Sequence, residues 1–276
     1  RLPEGIMPCC DVINRGAAGR MGGRLISLIA QTEGIELAGA LERLDHPAVG
    51  RDAGENPGIG RTGIRIGDSL AGCIDHGDVV IDFTSHEASL IHLKIAAAAG
   101  KAIVIGSTGF TQQEMEIARG LASAVRCVLT PNMSVGVNVL LKVLADVSAI
   151  LGDDYDVEIV EAHHHLKKDA PSGTALKMAQ VIADRLGRNL EKAGVYSRQG
   201  MVGERTKEEI GIQAVRAGDI IGEHTVIFGG TGERLEFIHR AHSRDNFARG
   251  AIRAALWLVQ KKNGLYDMQD VLGLKG

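Results

Sequence analysis

Asp11-Val12-Ile13-Asn14-Arg15-Gly16-Ala17-Ala18-Gly19-Arg20-Met21-Gly22, near the start of the chain, is the stretch whose reading decides the fold. A short apolar run enters three glycines set at three-residue intervals, and an amphipathic stretch leaves them. Glycines so placed let the backbone approach a pyrophosphate, whose charge meets the unpaired N–H groups that open a helix. The pattern G-x-x-G-x-x-G is a variant of the dinucleotide fingerprint, with Ala18 where the middle glycine usually stands. By itself it is weak, because a chain with 36 glycines produces such triplets by chance. A purely structural turn followed by an exposed Glu-Arg pair would read the same way. Its context is sharper. The next predicted strand ends at Glu42, where a carboxylate can accept the hydroxyls of an adenosine ribose, and Arg43 beside it is placed to meet a 2′-phosphate.

Outward from this turn, the first 130 residues alternate short apolar runs with amphipathic stretches, which predicts βαβ units on a parallel sheet. Strands are expected at 10–14, 35–41, 79–83, 102–105 and 126–129, and helices at 20–31, 87–99 and 112–124. The last of these opens with Thr111-x-x-Glu114, a capping box. Residues 45–67, rich in glycine and charge, read as a long loop. Beyond Asn132 the texture changes to a long apolar helix at 135–151, a strand at 156–162 and a helix at 172–186. Strands at 213–216, 224–228 and 235–239 follow, then an Ala-rich helix at 247–262. The second half therefore reads as a mixed sheet with little helix. The overall expectation is an α/β protein: a Rossmann-like parallel-sheet domain and a smaller α+β domain.

The 276 residues suit two domains, and 45% hydrophobic content can build cores without staples. Aromatic residues are only 3%, which removes the stacking platform of a single-strand nucleic-acid binder. A formal charge of −3 gives no electrostatic reason to expect nucleic acid or a membrane surface as partner. Cys9, Cys10, Cys73 and Cys127 form no C-x-x-C pair, which fits a reducing cytoplasm, and Cys9-Cys10 read as buried strand residues. No stretch approaches eighteen consecutive apolar residues, so no transmembrane helix is expected. The first ten residues lack the apolar centre of a signal peptide and read as a short leader.

The second informative stretch is Glu161-Ala-His163-His164-His165-Leu-Lys167-Lys168-Asp169-Ala-Pro171-Ser172-Gly173-Thr174. It leaves a strand, crosses a loop and opens a helix for which Ser172 is a plausible N-cap. Gly173 and Thr174 then offer backbone N–H groups and a hydroxyl at a positive helix end, an arrangement that binds carboxylates. Three readings are open. Zinc would need ligands on one side, yet only His163 and His165 share one in an extended chain, and no carboxylate is spaced as a third. A solvated basic loop is the second. The third, which is preferred, is a site joining a proton donor to cationic anchors for an anionic substrate, with no metal.

Taken together, these segments resemble the dihydrodipicolinate reductase family. The resemblance rests on His163-His164-x-x-Lys167-x-Asp169-x-Pro171-Ser172-Gly173-Thr174 and on the Gly16–Gly22 turn. Asp82-Phe83-Thr84, Gly106-Ser107-Thr108-Gly109-Phe110, the run from Asn132 to Asn138 and the run from Arg216 to His224 also carry it. It implies a dinucleotide-binding domain over 1–133, to which 244–276 return, and a substrate-binding and tetramerisation domain over 134–243. It also implies homotetramers. By carry-over, Gly16, Ala17, Gly19, Arg20, Met21, Glu42 and Arg43 hold the adenosine diphosphate half of NADH or NADPH. Phe83, Thr84, Gly106, Ser107, Thr108, Thr130, Pro131, Asn132 and Met133 line the nicotinamide. His163 and Lys167 form the proton-transfer pair, while His164, Ser172, Gly173 and Thr174 bind a small anionic dicarboxylate.

The implied reaction is reduction of 4-hydroxy-tetrahydrodipicolinate to tetrahydrodipicolinate in lysine and diaminopimelate biosynthesis. His163, near its ordinary pKa, would give a proton to the carbon beside the one that takes the hydride. Two departures from the family pattern are visible. Asn14-Arg15 stands before the first glycine where small or apolar residues are usual, a long cation being awkward in a tight strand-to-helix turn, and Ser107 replaces a common threonine but keeps the hydroxyl. Two alternatives have distinct requirements. An aspartate-semialdehyde-type dehydrogenase needs a thiolate, and a non-catalytic NADP-binding regulator has no use for the histidine–lysine segment.

Overall fold

The computed structural model describes residues 9–275, so most of the leader expected over the first ten residues lies outside the described residues. Contacts divide the chain into one unit of Arg1–Val135 with Arg244–Gly276 and a second of Gly136–Ser243.

The first unit begins with β1 (Cys10–Arg15), α1 (Arg20–Ile29) and β2 (Ile35–Leu41), followed by the two-residue β3 (Ile66–Gly67). Then come β4 (Val79–Asp82), α2 (His86–Ala98), β5 (Ala102–Ile105), α3 (Gln112–Gly120) and β6 (Arg126–Leu129). Strands covered on both faces read as continuous apolar runs, as Val-Val-Ile in β4 and Ala-Ile-Val-Ile in β5 do. Two layers of side chains follow. Val12, Ile81, Val104 and Val128 pack on the α1 side, while Ile13, Val80, Ile103 and Cys127 pack on the α2 side with Leu90 and Leu93.

The second unit starts with α4 (Val135–Leu151) and β7 (Asp156–His163). It continues through α5 (Gly173–Arg185), α6 (Leu190–Ala193), β8 (Gly194–Val195), β9 (Ile210–Arg216), β10 (Gly222–Gly229) and β11 (Arg234–Ala241). The strand order is β11-β10-β7-β9-β8, with β7 parallel to β9 and antiparallel to β10. Val157, Ile159, Ile210, Ile212, Val226 and Phe228 share a core with Val137, Leu140 and Leu144 of α4 and Met178 and Ile182 of α5. Residues 135–154 are long and apolar enough to cross a membrane by length and composition, with mean hydropathy 1.8. A count of consecutive apolar residues misses this.

The chain then returns to the first unit through α7 (Asp245–Leu258), β12 (Gly264–Tyr266) and α8 (Met268–Leu272). β12 pairs with β6, completing a seven-stranded parallel sheet of order β12-β6-β5-β4-β1-β2-β3. An Arg24–Asp245 ion pair at 2.7 Å ties α7 to α1.

Differences from expectation are local. Cys10 is buried, but Cys9 is exposed just before β1. The 45–67 loop is organised by Asp52, whose carboxylate accepts from the N–H groups of Gly54, Thr62 and Gly63. Those bonds, that of Thr62 above all, hold its pKa down to about 2. The helices expected to end at 31, 124 and 262 stop earlier, at Ile29, Gly120 and Leu258, where short turns replace the last helical residues.

Candidate active site

Parallel strands put all their carboxyl ends on one edge, and the first unit gathers its predicted cofactor residues there. Gly16 to Met21 follow β1, Glu42 and Arg43 follow β2, Phe83 and Thr84 follow β4, Gly106 to Thr108 follow β5, and Thr130 to Met133 follow β6. β1 lies between β2 and β4, so the strand order reverses direction there, the place where open α/β sheets bind ligands. Gly16 takes a positive φ of 81°. Gly22 packs so closely that a Cβ on it would lie 2.0 Å from the Gly16 carbonyl oxygen. The N-cap of α1, Gly19, provides no side-chain acceptor to the helix N–H groups. Glu42 faces this turn, its carboxylate accepting from the N–H groups of Ala18 at 3.2 Å and of Arg43 at 3.1 Å. An uncapped helix start, a backbone-lined turn and an adjoining carboxylate fit the phosphates and ribose of a dinucleotide.

Arg15 does not obstruct the turn. Its Nε donates to His92 Nε2 at 3.0 Å and its Nη1 to the Glu42 carbonyl at 2.6 Å. The His92 Nδ1 lies 2.6 Å from buried Asp82, whose other oxygen accepts from Thr84 N–H and hydroxyl. The long cation therefore leaves the turn sideways, into a polar chain running from β1 to α2 and β4.

In the second unit, alternation along β7 places Glu161 and His163 on the inner face. The registers add Arg216 of β9 and His224 of β10 beside them. Glu161 is fully buried. One of its oxygens lies 2.6 Å from His163 Nδ1, Arg216 grips both oxygens at 2.7 and 2.9 Å, and the Ser172 N–H donates at 3.0 Å. Arg216 also donates to the Asp169 carbonyl at 2.7 Å, which pins the loop between β7 and α5. Ser172 Oγ accepts from the Ala175 N–H as the N-cap of α5 and is also hydrogen-bonded to His224 Nε2 at 3.1 Å. The His163 and His224 rings meet edge to face at 5.4 Å.

Burial drives the electrostatics. It pushes His163 below its ordinary pKa, its hydrogen bond to Glu161 only partly opposing this, so the expectation of an ordinary value is corrected. Burial also takes His224 down to about 3, leaving it neutral. Burial works against ionising Glu161, but the bonds from Arg216 and His163 outweigh it and hold the carboxyl below the usual range. Lys167 pairs with both oxygens of Asp169 at 2.8 and 2.9 Å.

The chain matches the dihydrodipicolinate reductase N-terminal family over residues 10–133 and its C-terminal family over 136–272. The chain belongs to the dihydrodipicolinate reductase family. A 4-hydroxy-tetrahydrodipicolinate reductase of Syntrophus aciditrophicus is 64% identical over 260 residues, covering 94% of this chain and 97% of the relative. One from Syntrophobacter fumaroxidans is 61% identical over the same shares. A dipicolinate-bound dihydrodipicolinate reductase from Paenisporosarcina sp. TG-14 superposes with a TM-score of 0.73 at 26% identity, covering 95% and 98%. An aspartate semialdehyde dehydrogenase from Vibrio cholerae shares the fold alone, with a TM-score of 0.54 at 10% identity and coverage of 92% and 99%.

Membership of the dihydrodipicolinate reductase family agrees with three cysteines whose burial disfavours the thiolate. Burial pushes Cys10 up to about 12 and also raises Cys73 and Cys127. Among the described residues, the group of three metal-type ligands within 4.8 Å is Cys9, Asp11 and Glu36, which includes no histidine. Several sequence-predicted residues are withdrawn from the surface. Ala17, Ser107, Thr130 and Met133 are buried, and the Ser107 hydroxyl meets Ser89 on α2 at 2.8 Å. Ser172 is buried with its hydroxyl already engaged, whereas Gly173 is exposed at the start of α5. Glu161, Arg216 and His224 were given no role by sequence reasoning. The two-residue alternation of Glu161 and His163 on one strand was the available signal.

Proposed function

We propose that this chain reduces 4-hydroxy-tetrahydrodipicolinate to tetrahydrodipicolinate with NADH or NADPH, in lysine and diaminopimelate biosynthesis. The observation that carries the reading is half-buried His163 on buried Glu161 beside the start of α5: a proton-carrying group next to a helix end that accepts carboxylates. The glycine turn with Glu42 and Arg43 would hold the adenosine diphosphate half, and the ends of β4, β5 and β6 the nicotinamide half. The cofactor supplies a hydride. His163 delivers a proton to the neighbouring carbon, and the Lys167 charge balances the negative charge that develops on the ring. His164, Gly173 and Thr174 hold the substrate carboxylates and so fix the ring's orientation, worth several kcal/mol.

The test is oxidation of NADH and NADPH by the purified protein with freshly generated 4-hydroxy-tetrahydrodipicolinate. Wild type is expected to use both cofactors within about tenfold, since Glu42 suits free ribose hydroxyls and Arg43 a 2′-phosphate. Arg43 is exposed and paired only loosely with Asp45 at 3.3 Å, which leaves its guanidinium available. Arg43→Ala should raise the Michaelis constant for NADPH selectively. Equal loss with both cofactors would remove the assignment of Arg43, and no oxidation at all would remove the function.

We also place the chain in a homotetramer built through the second unit. Val215 and Ile238 are exposed on the face of the five-stranded sheet opposite α4 and α5, apolar surface that a copy would cover. Light scattering of dilute protein is expected to give about four chain masses; an active monomer would contradict it.

A further inference from the structure

Glu161 is a fully buried carboxylate of the second unit. It accepts from an imidazole, a bidentate guanidinium and a main-chain N–H, and none of its surface reaches solvent. Burying a charge so completely is costly unless every lone pair is used, and here every partner belongs to a different segment: β7, β9 and the start of α5. A carboxylate kept in such a place for stability alone is a poor choice, since an apolar residue of like volume would serve as well.

We propose that Glu161, clamped by Arg216 and the Ser172 N–H, is the positioning residue that sets the tautomer of His163. It takes the Nδ1–H and leaves Nε2 as the nitrogen that exchanges a proton with substrate. The inference rests on the reading of His163 as the proton donor. Protonated His163 gives its Nε2 proton to the substrate carbon. The electron pair of the Nε2–H bond stays on nitrogen, Nδ1 keeps its hydrogen toward Glu161, and solvent returns the proton afterwards.

Two further observations support it. Nε2 looks toward Gly222 of β10, where a Cβ would lie 3.1 Å away, so a glycine keeps that side of the ring clear. The charges around the ring are also balanced. Glu161 on β7 favours the cation, Arg216 on β9 and Lys167 in the loop disfavour it, and His224 on β10 is neutral. A lone buried carboxylate would hold His163 permanently charged and make it a weak acid. Arg216 takes up that charge and leaves the orienting hydrogen bond.

The test compares wild type, Glu161→Gln, Glu161→Asp and His163→Gln. The aspartate variant keeps the charge but withdraws it by one methylene, and it carries the test if the glutamine variant does not fold. Both Glu161 variants are expected to lose roughly 10–100-fold in kcat, part of the 10²–10⁴-fold that a positioned acid supplies, with substrate KM within about threefold. In Glu161→Gln the remaining influences on His163, namely burial, Lys167 and Arg216, all lower its pKa. The alkaline limb of the rate profile should therefore move to lower pH. Nitrogen-15 spectra of the imidazoles should show His163, assigned by its loss in His163→Gln, as the Nδ1–H form in wild type and as a mixture in Glu161→Gln. The proposal is overturned if both Glu161 variants keep kcat within about twofold while His163→Gln loses turnover, or if wild-type His163 is the Nε2–H form. If His163→Gln itself retains turnover, the donor reading fails first and this proposal falls with it.

Discussion

His163→Gln is expected to cut turnover by roughly 10²–10³-fold, the scale on which a general acid acts. The substrate KM should move far less, because an interaction made only in the transition state adds nothing to ground-state binding. The geometry sharpens this expectation. His163 is half-buried, held at Nδ1 by Glu161 and edge-on to neutral His224, so Nε2 is the nitrogen left for proton transfer. His164→Ala should show the opposite split, with KM rising about tenfold or more and a smaller loss of kcat, as befits a carboxylate anchor. Lys167→Met should show both defects, and cofactor affinity should survive all three, since the cofactor turn lies in the other unit. Steady-state kinetics with direct NADPH titration checks every arm. Near-normal turnover in His163→Gln would pass the acid role to Lys167 or to water.

Gly22→Ala is expected to have a comparably large effect on the cofactor. The added methyl would sit 2.0 Å from the Gly16 oxygen and 2.7 Å from the Ala17 Cα, both backbone atoms that cannot swing aside. Either α1 tilts away from the strand or the turn opens. In both cases the N–H groups that meet the pyrophosphate move, and a displacement near 1 Å costs about 10²-fold. Overpacking of this kind also destabilises by about 1–3 kcal/mol. NADPH titration should therefore show a Kd raised by about two orders of magnitude, alongside a thermal midpoint lowered by roughly 5 °C. Wild-type affinity in the variant would mean that this turn does not hold the phosphates.

The parallel sheet was legible because each strand is an unbroken apolar run bounded by turn residues, and five of its seven strands follow from that pattern. β3 and β12 were not. Ile66–Gly67 and Gly264–Tyr266 have two and three residues, too few for any periodicity, and their pairing with β2 and β6 is a tertiary fact. At the site, His163, Lys167 and the start of α5 stood out because they are sequential. Arg216 and His224 were invisible as partners because β9 and β10 reach them from more than 50 residues away. Arg15 was misjudged for the same reason. It looked awkward beside Gly16, and what accommodates it is His92, 77 residues on.

The interleaving of the two units has a consequence for synthesis. Val12, Ile81 and Val104 are covered by Ala248, Ala251 and Ala255 of α7, and the edge of β6 is closed by β12. Both arrive only after every residue of the second unit has left the ribosome. At ~5–20 residues per second, the first sheet spends on the order of ten seconds with an apolar face bare and an edge strand open, the two features that invite aggregation. The nascent chain is thus most exposed not at its beginning but through its middle, while the second unit is being made.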